Sequence, residues 1–361
     1  MAWAAGAALA VGGGTAGVVI ATQGGGGQAG TAAARAADVR PDPLRLVSIS
    51  PATGSKSVNG ATDITVTYNQ PVPATAPLPT LSPATAGSWQ RTGDTVVFTP
   101  SAGFPAGTHV TVTAAAATGK TAASFKTGDY STLRLQEVLA QLGYLPLTWT
   151  PAAGVALPGG SQAAQLSAAY APPAGKFKWK SGYPSQLHWF WSQGKSNTLD
   201  QGAITGFEAD HGLTTNGVAS TAVWKALLTA SAKDQRNTHG YSYAIASQRA
   251  PETLTIWHDG KRAFSSAANT GIPDSPTGVG TFPVYEKLPF QIMSGTNPDG
   301  SHYADPVEWV SYFDGGDAVH YFDRYSYGWQ QSLGCVELPY DAAKEAYPIL
   351  PYGSLVTVTP E

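Results

Sequence analysis

Polar and apolar residues alternate in three short runs near the start of the chain: Asp63–Tyr68, Thr95–Thr99 and His109–Thr113. A period of two turns one side of each run toward a core, and Pro/Gly turns separate the runs. This predicts a small antiparallel sandwich over residues 42–129, immunoglobulin-like in its spacing. The period then changes. Leu135, Val138, Leu139 and Leu142 follow helical spacing after the cap candidates Ser131 and Thr132, and Gly143 ends the run. Ala203, Ile204 and Phe207, closed by Gly212, predict a second helix. Val223, Trp224, Leu227 and Leu228 after Ser220 or Thr221 predict a third. These helices define a unit over 130–232. Its first two helices are separated by an insert, Pro146–Leu199, rich in aromatics such as Phe177, Trp179, Trp189 and Trp191. The insert reads equally well as a glycan-stacking surface and as a hairpin packed on neighbouring domains.

Alternation returns in residues 240–361. Thr253–Trp257 and Arg262–Ala267 flank Asp259-Gly260, a pair suited to a tight hairpin turn. A Gly/Pro-punctuated loop, Asn269–Phe282, leads to further strands at Glu308–Phe313, Ala318–Phe322 and Leu355–Val358, with a short helix at Asp341–Tyr347. The fold class expected is multidomain and mainly β: a sandwich, a small helical module with an insert, and a C-terminal all-β domain. Residues 289–303 mix apolar and turn types and read as a loop, either a lid over a cleft or a plain surface loop. Tyr303, Trp309 and Tyr321 are candidate cleft walls. Asp323 and Arg324 are expected to hold the loop after the strand, the alternative being contact with a charged ligand, and His258 and His302 to be surface residues.

Charge changes this picture little. Charged residues are 12% of the chain and the net charge is −3, which offers no basic surface for nucleic acid. No Cys/His cluster has metal-ligand spacing, so neither a metal nor a cofactor is expected. Residues 1–22 carry no charge and are long enough for a signal segment or membrane anchor; 23–41 form a Gly/Ala-rich tether. This predicts an extracytoplasmic protein of the cell envelope, anchored or secreted through that segment. Cys335 is the only cysteine, so no intrachain disulfide forms.

That cysteine carries the candidate chemistry. A thiol attacks as thiolate, and its ordinary pKa of about 8.5 calls for a nearby base at neutral pH. His320 stands fifteen positions earlier (335 − 320) on an alternating run bordered by Gly315-Gly316. Imidazole is suited to take the proton. Gly334 lets the backbone approach a bound carbonyl, so amides around Cys335 would serve as an oxyanion hole. On these residues alone, two readings stand: a secreted Cys/His acyl-transfer enzyme, or a small buried cysteine and a hydrogen-bonded strand histidine with no catalytic role.

The run His320 … Ser332-Leu333-Gly334-Cys335-Val336-Glu337 resembles the signature of the L,D-transpeptidase catalytic domain, the YkuD family. There, a His is followed at similar spacing by Ser/Thr-His-Gly-Cys, a hydrophobic residue and Asn or Arg. Pro276-Thr277-Gly278-Val279-Gly280-Thr281-Phe282 resembles a second segment of that family. The resemblance implies Cys335 as nucleophile and His320 as general base. It implies that the Tyr321 carbonyl orients the imidazole and that backbone at Ser332, Leu333, Gly334 and Cys335 surrounds the oxyanion. Tyr303, Trp309 and Glu337 are the expected substrate contacts. Two positions depart: Leu333 replaces a second His, and Glu337 replaces Asn or Arg. The helical phrases LQEVLAQLGYL, ITGFEADHGLTTNGV and TAVWKALL look like the peptidoglycan-binding three-helix module, and the sandwich like the Ig-like modules that precede actinobacterial transpeptidase domains. The implied substrates are peptidoglycan stem peptides and glycan strands, and the implied inhibitors carbapenem β-lactams. The implied activity is 3→3 cross-linking of tetrapeptide stems. A catalytically decayed murein-binding envelope protein and an L,D-carboxypeptidase are the alternatives.

Overall fold

A computed structural model describes residues 43–360. The expected leader and tether lie outside the described residues. Among the described residues no helix is long and apolar enough to cross a membrane.

The first unit is the expected sandwich. Strands β1 (Leu46–Ser50), β2 (Ile64–Tyr68), β3 (Thr80–Ser82), β4 (Gly87–Thr92), β5 (Thr95–Pro100), β6 (His109–Ala116) and β7 (Gly119–Lys126) form two antiparallel sheets, ordered β1-β2-β5-β4 and β3-β6-β7. Alternation sets the core: Ile64, Val66 and Tyr68 face Val110, Val112 and Phe125 across one buried cluster.

Three predicted helices form, with one unpredicted. Helix α1 (Thr132–Gln141) leads to β8 (Leu147–Pro151), α2 (Gln162–Tyr170), β9 (Gly175–Trp179) and a short 3-10 turn (Ser185–Phe190), followed by α3 (Thr198–Asp210) and α4 (Thr221–Lys233). Ser161, Asn197 and Ser220 cap α2, α3 and α4 with side-chain oxygens. Leu135, Val138, Leu139 and Leu142 pack on Phe207, Leu227 and Leu199.

The insert is a clamp. Strands β8 and β9 pair antiparallel, and Phe177, Trp179, Tyr183, Phe190 and Trp191 lie against the helical core. On one side the Tyr170 hydroxyl donates to Phe104 O at 2.9 Å, and Asn59 Nδ2 donates to Ser167 Oγ at 3.1 Å, tying α2 to the sandwich. On the other, the Tyr183 hydroxyl donates to Tyr241 O at 3.0 Å. Gly182 lies so close to Gly260 that a Cβ there would stand 1.9 Å from its carbonyl oxygen, so only glycine fits. Trp189, 77% exposed, is the insert aromatic left facing solvent.

The C-terminal domain comprises β10 (Ser242–Ser247), β11 (Thr253–His258), β12 (Lys261–Ala267), β13 (Gly280–Pro283), β14 (Glu286–Thr296), β15 (His302–Asp314), β16 (Asp317–Tyr321), β17 (Val336–Leu338), α5 (Tyr340–Ala346) and β18 (Leu355–Thr359). Five strands form one sheet, β12-β11-β10-β18-β13, and four the other, β14-β15-β16-β17. Ala244, Ile256, Val356, Val319, Val336 and Phe313 fill the space between them. The β11–β12 turn has positive φ at Asp259 (47°) and Gly260 (74°), as its sequence predicts.

One expectation is corrected. Residues 289–303 are not a loop. Residues 289–296 complete the eleven-residue strand β14, 297–301 turn, and 302–303 open β15, with which β14 pairs over almost its whole length. Pro289 and Gly295 masked the alternation in the sequence, but β15 supplies a complete partner. The hairpin still overhangs the cleft: Gln291, Met293 and Ser294 line it.

Candidate active site

The sheet geometry brings the sequence pair together. Strands β16 and β17 run parallel, with Val319 opposite Val336 and His320 opposite Glu337. Side chains two positions apart share a face of a strand, so Cys335, immediately before β17, lies on the face of Glu337 and His320. All three line one cleft of about 510 Å³. The long connection from β16 to β17 returns the chain to the adjacent strand, which is how fifteen residues of separation become neighbours.

The His320 ring is buried, and its Nδ1 lies 2.8 Å from Tyr321 O. A carbonyl only accepts, so Nδ1 carries the proton and the Nε2 lone pair is left to act as a base. Burial lowers the His320 pKa; the Tyr321 hydrogen bond and the Glu337 charge pull the other way. The resting ring is therefore neutral, the form that accepts a proton. Cys335 is half-buried, packed on Val307, Val310, Tyr312 and Ala318, and its thiol donates to Gly316 O at 3.9 Å. Burial and the charges of Asp317 and Glu337 push its pKa up to about 12. The Cys335 sulfur therefore rests as a thiol, and a thiolate at this position would have to be made by a nearby base.

The loop that carries Cys335 is held from two sides. The Gly/Pro-rich segment after β12 is zipped onto it: Asn269 and Glu337 exchange backbone hydrogen bonds, Ile272 N donates to Ser332 O, and the amides of Gln331 and Ser332 both donate to Thr270 O. Ser275 Oγ donates to Leu333 O at 2.9 Å. Ser332 works within the loop. Its hydroxyl donates to Cys335 O at 2.6 Å and accepts from Gly334 N at 3.2 Å. Of the amides expected at an oxyanion, that of Gly334 is thus already engaged. Gly334 itself adopts φ +121° and presses on Asp317, where a Cβ would stand 2.3 Å from Oδ1. That position requires glycine.

Glu337 is 4% exposed, and its charge is met. Arg324 closes on it with Nε to Oε2 at 2.9 Å and Nη2 to Oε1 at 2.7 Å, while Nη2 also donates to Gln331 O at 3.0 Å. Asn269 Nδ2 adds a contact to Oε2 at 3.3 Å. The guanidinium lies 4.6 Å from the Phe322 ring centre. Arg324 therefore holds the loop as its sequence position predicts, and Glu337 is its anchor as well as part of the cleft wall.

Of the expected cleft contacts, Tyr303, Leu333 and Glu337 line the cavity. Trp309 does not. A β-bulge between Glu308 and Ser311, with Trp309 at φ +61°, turns its ring against Tyr347, 5.7 Å between centres, and leaves Nε1 buried without a partner. Tyr321 also leaves the cleft, stacking edge-on with Tyr340 at 5.1 Å; its carbonyl alone reaches His320. His302 is exposed, with Nδ1 3.2 Å from Thr296 Oγ1, while His258 is partly buried, its Nδ1 2.9 Å from Ser242 Oγ. Asp317 and Asp305 line the cleft and were not singled out in the sequence. Asp317 beside Gly315-Gly316 reads as a turn residue, and only the β15–β16 reversal aims it at the loop that carries Cys335. Among the described residues no cluster of His, Cys, Asp and Glu could hold a metal ion.

Residues 242–358 match the family model described as the L,D-transpeptidase catalytic domain, YkuD. Residues 40–131 match the bacterial Ig-like domain. No match was found among curated proteins. Similar solved structures include an L,D-transpeptidase from Mycobacterium smegmatis, 17% identical, covering 88% of this chain and 99% of that one with a TM-score of 0.31. L,D-transpeptidase 3 from Mycobacterium tuberculosis is 16% identical, with coverages of 87% and 98% and a TM-score of 0.31. The catalytic domain of the Enterococcus faecium L,D-transpeptidase is 28% identical over 34% of this chain and all of that one, TM-score 0.31. That domain has also been solved acylated by ertapenem. The chain carries a YkuD-type L,D-transpeptidase catalytic domain behind a bacterial Ig-like domain.

Proposed function

We propose that this protein is a cell-envelope L,D-transpeptidase that forms 3→3 cross-links between peptidoglycan stems through an acyl-enzyme on Cys335. The observation that carries the reading is the shared sheet face of His320 and Cys335, with the His320 Nδ1 proton committed to Tyr321 O. His320 Nε2 takes the thiol proton as sulfur attacks the carbonyl of the L,D bond before the terminal D-Ala of a tetrapeptide stem. The same imidazolium returns that proton to the departing amine, and D-Ala leaves. The backbone amides of Leu333 and Cys335, flanking the engaged Gly334 amide, receive the oxyanion, an interaction typically worth about 3–4 kcal/mol for a key donor. An amine of a second stem then attacks the thioester and restores the thiol. Water in place of the amine makes the reaction a carboxypeptidation.

In this reading, residues 1–22 export or anchor the chain, the sandwich is a spacer, and residues 130–232 approach the glycan strand. A carbapenem is an activated acyl donor for the same thiol.

Intact-protein mass spectrometry tests the proposal. The protein is incubated with a carbapenem and, separately, with a tetrapeptide-stem disaccharide, beside Cys335→Ala and His320→Ala. The expected result is a covalent adduct and D-Ala release that need both residues. A folded protein that leaves both reagents intact while still binding murein would sink it in favour of a decayed binding protein.

A further inference from the structure

The cleft holds a carboxyl group that the steps above do not use. Asp317 opens β16 and lines the cavity with His320 and Cys335. Its two neighbours in sequence both touch the nucleophile: Gly316 O accepts from the thiol at 3.9 Å, and the backbone of Ala318 hydrogen-bonds to the sulfur. Its own Oδ1 is seated against Gly334, the residue before the nucleophile, and the backbone N–H of Gly278 donates to it. The carboxyl group is thus fixed beside the sulfur, within the cavity a second substrate must enter.

The charge of that cavity selects its ligand. Arg324 is neutralised by its two-point pair with Glu337. With Glu337 paired to Arg324, Asp317 and Asp305 leave the cavity lining with an excess of acidic over basic side chains, Arg324 being the one guanidinium or ammonium group among the lining residues. Such a cleft attracts a cation and disfavours a second anion. In acyl transfer, the cation is the acceptor. A side-chain amine with an ordinary pKa of about 10.4 arrives as ammonium and cannot attack until it loses a proton.

We propose that Asp317 is the acceptor-amine subsite, binding a primary ammonium group beside the Cys335 thioester and removing its surplus proton. This rests on the acyl-enzyme reading above. Asp317 carboxylate takes one proton from R–NH3+, giving R–NH2 and a carboxylic acid. The free amine attacks the thioester carbon as His320 Nε2 takes a second proton from the nitrogen. The C–S bond breaks, and His320 delivers that proton to sulfur. Asp317 releases its own to solvent. The balance is thioester plus ammonium to amide, thiol and one proton. Asp317 thereby favours amine over water, and so cross-linking over hydrolysis.

The test is a partition experiment on the full chain. The tetrapeptide-stem disaccharide is the donor, and the acceptors are a lysine amide blocked at its α-amine, which is cationic at neutral pH, and hydroxylamine, which is largely neutral there. Transfer and hydrolysis products are counted by mass for wild type, D317N, D317E and D317S. D317N is expected to form the acyl-enzyme and to lose about a hundredfold in transfer to the cationic amine, the low end of general-base effects. Transfer to hydroxylamine and water should fall far less, and D317E should recover part of the amine transfer. D317S, smaller than Asp against Gly334, should behave as D317N; this separates loss of charge from crowding. Equal losses with both acceptors, or no loss with either, would overturn the subsite. Absence of any acyl-enzyme in the wild type would instead overturn the reading on which it rests.

Discussion

Arg324 grips Glu337 by both ends of its guanidinium, 2.9 and 2.7 Å, on the wall of the cleft that holds His320 and Cys335. The carboxylate is 5% exposed and the guanidinium side chain 29%. Removing one partner of such a pair strands a charge, whereas removing both need not. Arg324→Ala is expected to cost about 3–5 kcal/mol in urea unfolding, because Glu337 keeps its burial and loses its counter-ion. Glu337→Gln, which keeps a neutral acceptor for Arg324 and Asn269, should cost clearly less. Equal costs would show that the pair does not bear the loop's stability.

Gly334 is expected to tolerate no side chain. Alanine there meets both the φ of +121° and the Asp317 carboxylate at 2.3 Å. Backbone strain of this kind costs of order 1–3 kcal/mol. Gly334→Ala should be less stable by at least that amount and should slow acylation of Cys335 by a carbapenem. Unchanged acylation would mean that the loop accommodates the shift without moving the thiol.

The pH dependence of acylation follows from the paired pKa directions. His320 is depressed below its ordinary 6.5, so it remains a neutral base as pH falls through the usual imidazole range. The thiol is raised to about 12, so its direct ionisation adds nothing between pH 7 and 10. A plateau across that interval is expected, with loss only at more acidic pH. A rate climbing tenfold per pH unit would point to a freely titrating thiol.

The same thiol sets a stability trend. A group whose folded pKa lies above its unfolded value binds its proton more tightly when folded. Its contribution is complete below the ordinary thiol value of about 8.5 and is lost as pH rises toward about 12. Wild type should therefore lose more stability than Cys335→Ala between those values in matched denaturation curves.

Asp200 supplies a counterpart in the helical unit. It is 2% exposed, accepts from Gln136 Nε2 at 2.9 Å and Asn197 Nδ2 at 3.0 Å, and keeps Oδ1 without a partner. Burial raises its pKa to about 7. The raised value means that its contribution is present below the ordinary 3.8 and lost as pH rises through 7. Asp200→Asn, which never ionises, is expected to gain stability relative to wild type between pH 5 and pH 8. A constant difference across that range would show that Asp200 does not ionise on that scale.

Much of this architecture could be read from local pattern. Alternation placed Ile64, Val66 and Tyr68 on a strand because a half-buried strand has no other way to divide its faces. Helical spacing and a side-chain cap located α4 from Ser220 to Leu228 for the same kind of local reason. The hairpin of β14 and β15 escaped because Pro289 and Gly295 interrupt its pattern, and pairing with a partner strand supplied what the segment lacked. Trp309 was misplaced because a bulge reversed its side, and a bulge is a property of two strands.

The sequence by itself determined the chemistry on offer: one cysteine, a histidine at matching spacing, and glycine where the backbone must come close. Those are properties of residue types and short-range geometry. The tertiary structure alone decided their surroundings. It turned the insert into a clamp between domains, paired Arg324 with Glu337, occupied the Gly334 amide and set Asp317 beside the sulfur. Each of these depends on chain segments distant in sequence meeting at one place, and a meeting of that kind is fixed by packing and burial rather than by any local pattern.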